Sequence, residues 1–259
     1  MTRLQKLLAE AGLGSRRTVE AWIRAGRVSV RGRTAQLGDR ASPGDEVCLD
    51  GKALELSGGS QPAELLLYYK PVGEVTTRRD PQGRPTVFRR LPDPRRGRWI
   101  NVGRLDVNTA GLLLLTTDGD LAHRLMHPSR GVEREYLVRL RGRPGPEVVR
   151  ALLEGIPLSD GLARFDRILE EPPGKGAHSS FRVVLREGRN REVRRLWEAA
   201  GFEVSRLLRI RYGPIELPRD MRPGNARRAD GALLEQLKGA VGRASPRAPR
   251  SRDPGEADA

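Results

Sequence analysis

One carboxylate, Asp106, lies in a short polar segment between two stretches that are typical of β-strands. The stretch 99–102 precedes it, and the apolar run 112–115 after it is too short to span a membrane and fits a strand buried on both faces. Gly103 and Gly111 permit sharp bends and the close approach of a ligand to the backbone. Because loops on a rigid scaffold concentrate catalytic groups, Asp106 is a candidate for chemistry; the alternative is an Asx-turn confined to its own loop.

A second segment combines a strand, a glycine turn and a basic helix. The strand 183–187 runs into Gly188, and Asn190 is expected to cap the helix that follows. The helix has an apolar face with the spacing i, i+3, i+4 and i+7, formed by Val193, Leu196, Trp197 and Ala200. The arginines outside that face and the free N–H groups of the first turn can bind phosphate or keep a carboxylate ionised. The other interpretation pairs these arginines with Glu187, Glu192 and Glu198 at the surface.

Three further features lie between or before these segments. Tyr136 occupies an alternating stretch, 133–140, that predicts a strand; its ring could stack on a base, although a tyrosine in a strand more often belongs to the core. Asp118 is expected to cap a helix that ends before Pro128. The basic, turn-rich segment 76–85 is typical of a loop that contacts phosphates.

The overall charge indicates a polyanionic partner. The chain has 259 residues, with 48 Lys and Arg against 33 Asp and Glu, a formal net charge of +15, and most of this charge lies between residues 61 and 239. Nucleic acid is the leading partner, and the lack of an apolar run of spanning length predicts no membrane association and a cytoplasmic protein. A single cysteine, Cys48, excludes an internal disulfide and a cysteine-clustered zinc site.

The chain divides into three predicted parts. Residues 1–60 form a small module and a Gly/Ser-rich linker at 57–62, residues 61–238 form a larger body, and residues 239–259 form a tail expected to be disordered. In the module, two short helices, the second capped by Ser15, precede short strands. This order resembles the α-L RNA-binding module of a small-subunit ribosomal protein and of several RNA-modifying enzymes. Its arginines, among them Arg16, Arg17 and Arg27, would contact RNA or, alternatively, only solvate a helix face.

Together the segments resemble three successive motifs of the pseudouridine synthases. The matching residues are Gly103-Arg104-Leu105-Asp106, Arg134-Glu135-Tyr136, and Glu187-Gly188-Arg189 leading to Val193-Arg194-Arg195. With the N-terminal module, the chain is similar to the RsuA/RluB family from Arg3 to about Leu237. Four segments are most similar to the members that modify large-subunit ribosomal RNA: Tyr68-Tyr69-Lys70-Pro71, Arg84-Pro85-Thr86-Val87-Phe88, Asn108-Thr109 and Arg189-Asn190-Arg191-Glu192. Arg134 and Arg194 stand where relatives carry Lys, and both keep the charge.

The resemblance implies an α+β fold, in which the small α-L module precedes a catalytic domain with a mixed, largely antiparallel sheet flanked by helices. It implies the isomerisation of uridine to pseudouridine in ribosomal RNA, with 23S RNA expected, and without cofactor or metal, since the reaction changes no oxidation state. Asp106 would be the essential carboxylate, and Tyr136 would stack on the target base. Arg194, or failing that Arg189, would form a buried ion pair with Asp106.

The target nucleotide must then leave its helix, and Arg104 would fill the vacated space or hold a phosphate. We expect a monomer that acts on pre-50S particles or free 23S RNA. The remaining expected RNA contacts are Lys70, Arg78, Arg84, Thr109, Arg189, Arg191, Arg195, Arg16, Arg17 and Arg27.

Three alternatives remain open at this point. The chain could be a non-catalytic RNA-binding protein of ribosome assembly, in which Asp106 is only structural. It could be a synthase that acts on small-subunit RNA. It could also be a metal-dependent nuclease using Asp106, Asp118 and Asp120, although Asp118 already has a role at a helix start.

Overall fold

The computed structural model describes residues 1–56, 63–95, 97–172 and 178–243, so the predicted linker at 57–62 lies outside the described residues. The N-terminal module has two helices, α1 (Leu4–Glu10) and α2 (Arg16–Arg24). Its strands are β1 (Thr2–Arg3), β2 (Val28–Val30), β3 (Arg33–Thr34), β4 (Arg40–Ala41), β5 (Val47–Leu49) and β6 (Lys52–Ala53). Four of them form a sheet in the order β3-β2-β5-β6, and β1 pairs with β4.

The module folds around the apolar helix faces that the sequence predicts. Leu4 and Leu8 are fully buried, and they share one cluster with Val19 and Ile23 of α2. The side chain of Ser15 accepts a hydrogen bond of 2.9 Å from the backbone N–H of Thr18, which confirms it as the cap of α2.

The body contains eleven strands and four α-helices among the described residues. The strands are β7 (Leu65–Lys70), β8 (Ile100–Val102), β9 (Ala110–Thr116), β10 (Arg134–Arg141), β11 (Ile156–Leu158), β12 (Gly161–Ala163), β13 (Arg167–Glu170), β14 (His178–Leu185), β15 (Val204–Tyr212), β16 (Ile215–Glu216) and β17 (Ala226–Arg228). The helices are α3 (Gly119–Met126), α4 (Pro146–Glu154), α5 (Glu192–Ala199) and α6 (Gly231–Arg243). Short 3-10 turns occupy Val87–Arg90 and Pro128–Arg130.

One large sheet organises the body. Its order is β13-β14-β10-β15-β9-β7-β17, with β8 paired to β9 and β16 paired to β15. The pairing of β15 with β9 is parallel, and the other strand pairs of this sheet that the structure describes are antiparallel. The predicted mixed, largely antiparallel sheet is therefore confirmed.

The leucine run of β9 is buried on both faces of the sheet, as its continuous apolar character predicts. Leu113 and Leu115 belong to a cluster on one face that includes Trp197 of α5. Leu112 and Leu114 belong to a cluster on the other face that includes residues of α3 and α6. Helices cover both faces, so the strand and the loop before it stand on a rigid support.

The last described helix extends past the boundary predicted for the tail. The prediction placed the start of the tail at residue 239, but α6 runs to Arg243 and the side chain of Val241 is buried with Leu237 in the core. The apolar spacing of the helix thus continues beyond the shift in composition. Residues 244–259 lie outside the described part of the chain.

Candidate active site

A cleft of about 790 Å³ opens where the Asp106 loop meets strands β10 and β15 and the start of α5. Six of the predicted site residues line it: Asp106, Arg104, Thr109, Tyr136, Arg189 and Arg191. They come from three segments that are far apart in the sequence, so the fold brings the three predicted motifs into one site. Arg104 is exposed, whereas Tyr136 is only 9% exposed and belongs to the core as well as to the cleft.

The loop that carries Asp106 is held through its own carbonyl groups. The five consecutive carbonyls of residues 105–109 accept hydrogen bonds of 2.8 to 3.0 Å, in order from Thr76 Oγ1, Thr109 N, Gly73 N, Arg194 Nη2 and Lys70 Nζ. With so many carbonyls satisfied by other segments, the loop has one well-determined conformation.

The side chain of Asp106, by contrast, is half-buried and is not held by other side chains. Within the described ranges its carboxylate forms neither an ion pair nor a hydrogen bond. The Asx-turn alternative requires a hydrogen bond to that carboxylate, so the structure does not favour it. The scaffold presents a free carboxylate to the cleft.

Lys70 supports this loop from below and is fully buried, so the expected contact of Lys70 with RNA is wrong. Its ammonium donates to the carbonyls of Pro71 and Thr109, both at 2.8 Å. Burial lowers the pKa of Lys70 to about 8, against the attraction of the Glu74 and Asp106 carboxylates, which raises it. Its charge lies close enough to Asp106 to act on it without touching the substrate.

Arg194 also lies behind the loop. The sequence places it outside the inner face of α5, yet it is only 8% exposed, and its guanidinium donates at 2.8 Å to the carbonyls of Asn108 and Val204. Burial lowers the pKa of Arg194, and the negative charge of Asp106 opposes that shift. The two groups therefore interact through space, and the structure shows no direct ion pair between them among the described residues.

Three arginines at and before α5, Arg189, Arg191 and Arg195, are paired with acidic side chains. Arg189, the predicted fallback partner of Asp106, pairs instead with Glu187 at 2.7 Å. Arg195 donates two hydrogen bonds of 2.9 Å to Asp160, at the tip of the β11–β12 hairpin, and this interaction lowers the pKa of Asp160 to about 2. Arg191 pairs with Glu198 at 3.6 Å. The alternative of surface pairing therefore holds for Arg189 and Arg191, and Asp160 is a partner that the sequence did not reveal.

The start of α5 differs from the prediction. Arg191, in the left-handed conformation with φ of 49°, is the residue before the helix, so Asn190 does not cap it. The carboxylate of Glu192 accepts a hydrogen bond of 3.1 Å from the backbone N–H of Arg189 and satisfies that donor instead. Burial raises the pKa of Glu192.

Three residues that the prediction did not name as site residues form part of the cleft wall: Arg134, Arg209 and Tyr212. The guanidinium of Arg134 donates to the Tyr212 hydroxyl at 3.1 Å, and the guanidinium groups of Arg134 and Arg209 each lie 5.1 Å from the centre of the Tyr212 ring. The alternation of β10 places Arg134 on the same face as Tyr136, whereas only the pairing of β15 with β10 brings Arg209 and Tyr212 beside them.

Gly111 has a different role from the one expected. The prediction gave it the close approach of a ligand, but a Cβ at this position would lie 2.2 Å from the carbonyl oxygen of Arg209. The parallel pairing of β15 with β9 brings that backbone in, and φ of Gly111 is 110°. Glycine is required here by strand packing.

Several predicted RNA contacts do not reach the cleft. Arg78 lies over the ring of Phe88 at 4.4 Å and donates to the carbonyl of Trp99, and Arg84 pairs with Asp80 at 2.7 Å. The contacts of these two arginines are with other parts of the protein, and they stabilise the conformation of the loop 76–85.

In the module, the predicted contacts lie at the surface and outside the cleft. Arg27 donates to Asp50 at 2.8 Å, and Arg16 pairs with Asp120 at 3.4 Å. Arg17 is exposed and has no partner in the described part of the chain.

The nuclease alternative finds no support in the carboxylates. The side chain of Asp118 caps α3, as predicted, by accepting 2.9 Å hydrogen bonds from the N–H groups of Asp120 and Leu121. Asp120 pairs with Lys6 and Arg16 of the module. Across the described residues, no three His, Cys, Asp or Glu side chains are grouped so that they could hold a metal ion.

Comparisons with known proteins agree with the geometry. Residues 64–199 match the family described as RNA pseudouridylate synthase, and residues 2–47 match the S4 domain. The protein named Ribosomal large subunit pseudouridine synthase B of Pseudomonas aeruginosa is 51% identical over 241 residues, with 93% of this chain and 62% of the relative covered. The protein of the same name from Salmonella typhi is 54% identical over 242 residues, with 92% and 83% covered.

A solved structure extends the similarity to the whole fold. A crystal structure described as that of a pseudouridylate synthase has 28% sequence identity and a TM-score of 0.63, and the match covers 92% of this chain and 100% of that one. The chain spans a little under two thirds, 62%, of the length of the Pseudomonas relative.

None of the described helices is both long and apolar enough to cross a membrane.

Proposed function

This chain belongs to the RNA pseudouridylate synthase family, and we propose that it isomerises uridine to pseudouridine in large-subunit ribosomal RNA. The observation that carries the proposal is the uncommitted carboxylate of Asp106, which faces a basic cleft from a loop whose carbonyls are held by other segments. The names of the relatives from Pseudomonas and Salmonella support the large subunit as the source of the RNA. The S4 domain supports RNA binding through a second surface.

The proposed chemistry begins with Asp106. The N1–C1′ bond of the target uridine breaks, the uracil turns, and C5 bonds to C1′. A carboxylate can assist by bonding to the sugar or by taking a proton from it, and covalent carboxylate catalysis at a sugar carbon is well precedented. Lys70 and Arg194 lie behind the Asp106 loop, where the negative charge of Asp106 raises the pKa of both cations against the opposing effect of burial.

The cleft also fits a nucleotide that has left its helix. Tyr136 presents part of its ring to the cleft, where a uracil could stack on it. Arg104 is exposed beside Asp106, as a residue that holds a phosphate or fills the vacated space would be. We propose these two roles together with base flipping, because a uridine inside an A-form helix cannot reach Asp106.

The test is to incubate the purified protein with unmodified 23S and 16S RNA and to map pseudouridines in both. We expect at least one new pseudouridine in 23S RNA and none in 16S RNA. Asp106→Asn should lower the rate by about 10⁴-fold or more. Its binding to RNA should remain within about threefold of the unsubstituted protein, since the net charge changes by one unit among many.

Asp120→Asn is the matched control, because this carboxylate lies on the surface and pairs only with the module. It should leave the rate unchanged, whereas the nuclease alternative predicts loss of activity and a requirement for a metal. Pseudouridine in 16S RNA alone would favour the small-subunit alternative. Binding without any modification by the unsubstituted protein would favour the assembly-protein alternative.

A further inference from the structure

Arg209 is a buried cation that the protein does not neutralise. It is only 2% exposed although it lines the cleft. Its Nε donates to the carbonyl of Leu112 at 2.7 Å, and its guanidinium lies 5.1 Å from the centre of the Tyr212 ring. Its Nη2, however, is buried and has no hydrogen-bond partner, and no carboxylate pairs with it among the described residues. A buried guanidinium in this condition is costly, so a partner supplied from outside is expected.

The strand register places Arg209 between the two groups that the proposed function uses most. On one side it stands opposite Tyr136 of β10, and on the other it stands opposite Gly111, the second residue of β9, the strand that follows the Asp106 loop. Because Gly111 has no side chain, the backbone of Arg209 approaches it closely and is fixed there. The Nη2 group without a partner is thus carried by a strand whose backbone is fixed in the sheet.

The depth of Arg209 indicates which part of a nucleotide would meet it. Arg104 and Arg191 are exposed residues of the cleft and are suited to phosphates, which stay with the RNA chain. The base of a flipped nucleotide enters deepest, and uracil carries two carbonyl oxygens that accept hydrogen bonds. A buried, unpaired guanidinium beside Tyr136 therefore fits the base better than the backbone.

We propose that Arg209 is a catalytic residue that donates to a uracil carbonyl and stabilises the negative charge of the uracil when it separates from the ribose. This inference rests on the proposed function. In a dry site, a fixed donor aimed at developing charge stabilises the transition state more than the ground state. The role differs from those of Lys70 and Arg194, whose donors are directed at the protein backbone.

The charge balance of the reaction shows why such a group is needed. When the N1–C1′ bond breaks, its electron pair stays on N1, and the uracil becomes an anion whose charge is shared by its two carbonyl oxygens. Asp106 loses its own charge at the same time, by bonding to C1′ or by taking the proton of C2′. C5 then bonds to C1′ with the electron pair of the anion. At the same step Asp106 either leaves C1′ or gives the proton back to C2′, and the C5 proton moves to N1. No atom is gained or lost.

The first test compares Arg209→Met and Arg209→Lys in single-turnover assays with a 23S RNA fragment. Arg209→Met should slow the chemical step by about 10²- to 10³-fold. Arg209→Lys should be intermediate because it keeps the charge but loses the planar donor set. RNA affinity should stay within about threefold for both variants. Arg206→Met, an exposed arginine of the same strand, is the control for the loss of one charge and should react at the normal rate.

The second test separates catalysis from a structural role. Replacement of an unneutralised buried charge by an apolar side chain of similar length is often neutral or stabilising, whereas loss of the donor to the Leu112 carbonyl is destabilising. Because the two effects oppose each other, the melting temperature of Arg209→Met should stay close to that of the unsubstituted protein. Fluorine at C5 makes uracil a more stable anion. The deficit of Arg209→Met, measured as loss of the target nucleoside, should therefore be smaller on RNA that carries 5-fluorouridine at the target.

The outcomes are distinct from those of the proposed function. If the unsubstituted protein forms no pseudouridine, the proposed function itself fails. If that protein is active and Arg209→Met is equally fast, the inference about Arg209 alone is overturned. A deficit of the same size on uridine and 5-fluorouridine, accompanied by a lower melting temperature, would likewise overturn it and make Arg209 a structural cation.

Discussion

The N-terminal module and the cleft use arginine in opposite ways. In the module, Arg17 and Arg27 lie at the surface, one free and one paired with a neighbouring carboxylate. In and behind the cleft, Arg134, Arg194 and Arg209 are buried, and each donates to at least one backbone carbonyl outside its own helix or strand. A high positive charge therefore indicates a polyanionic partner, but it does not show which arginines contact that partner.

The difference also separates two tasks. Exposed cations attract a polyanion over distances set by the salt concentration, and their removal weakens binding to any RNA. Of the buried cations, Arg194 holds the backbone of the Asp106 loop and Arg209 holds that of β9, so their removal should change the rate of the chemical step. Variants in the two regions should therefore have separable effects on RNA affinity and on rate.

The largest effect in this comparison is expected from Arg194→Met. The substitution leaves the carbonyls of Asn108 and Val204 without a donor, which costs about 1 to 3 kcal/mol for each buried acceptor. It also frees the backbone two residues after Asp106, and a shift of about 1 Å at a reacting group can lower the rate about 100-fold. Urea denaturation measures the first effect, and single-turnover kinetics at saturating RNA measure the second.

Arg150→Met, an exposed arginine on α4, is the control for this variant and should change neither quantity. A folded Arg194→Met protein with an unchanged rate would contradict the view that the buried arginine positions the Asp106 loop. Loss of RNA affinity without loss of rate would assign Arg194 to the same class as the module arginines.

The next effect concerns the module. Replacement of Arg16 and Arg17 by Ala should weaken binding of a 23S RNA fragment and leave the single-turnover rate at saturating RNA unchanged. For each phosphate that the variant no longer neutralises, the slope of log K against log salt should become shallower by about 0.7 to 0.9. A salt titration of binding by fluorescence anisotropy measures the slope, and an unchanged slope would show that neither arginine binds a phosphate.

The local patterns of the sequence predict the supports of the site well. The strands on either side of the Asp106 loop, the caps provided by Ser15 and Asp118 and the doubly buried leucine strand all follow from short-range rules. They do so because each depends on residues close together in the chain. The convergence of the three motifs in one cleft follows from the family resemblance.

What the sequence could not predict depends on long-range pairing. Lys70 and Arg194 were expected at an RNA surface or in an ion pair, yet both are buried donors to the backbone. Alternation places Arg206 and Arg209 on opposite faces of β15, but only the pairing of β15 with β9 and β10 shows that the face of Arg209 meets the cleft. Asp160 lies on the β11–β12 hairpin, and no short-range pattern predicts where this hairpin packs against α5.

The smallest effect is expected from the loss of one paired carboxylate in each region, in the variants Asp160→Asn and Asp50→Asn. Both native carboxylates are paired with arginine, which lowers their pKa; for Asp160 the value falls to about 2 from an ordinary value near 3.8. Each pair therefore stabilises the protein above about pH 4 and loses this contribution as the pH falls, in the case of Asp160 through about 2. The melting temperature of either variant should be lower than normal at pH 7; the difference should shrink as the pH falls below about 4, and for Asp160→Asn it should vanish only below about pH 2.

Only one of the two variants should affect the reaction. Asp160 holds Arg195 and Arg189, next to a segment that lines the cleft, so Asp160→Asn should raise KM for an RNA fragment by about two- to fivefold with little change in kcat. Asp50 holds only Arg27 in the module, and Asp50→Asn should leave kcat unchanged. If both variants lower kcat equally, the pairing at Asp160 does not position the cleft, and the contrast between the two regions holds for buried cations alone.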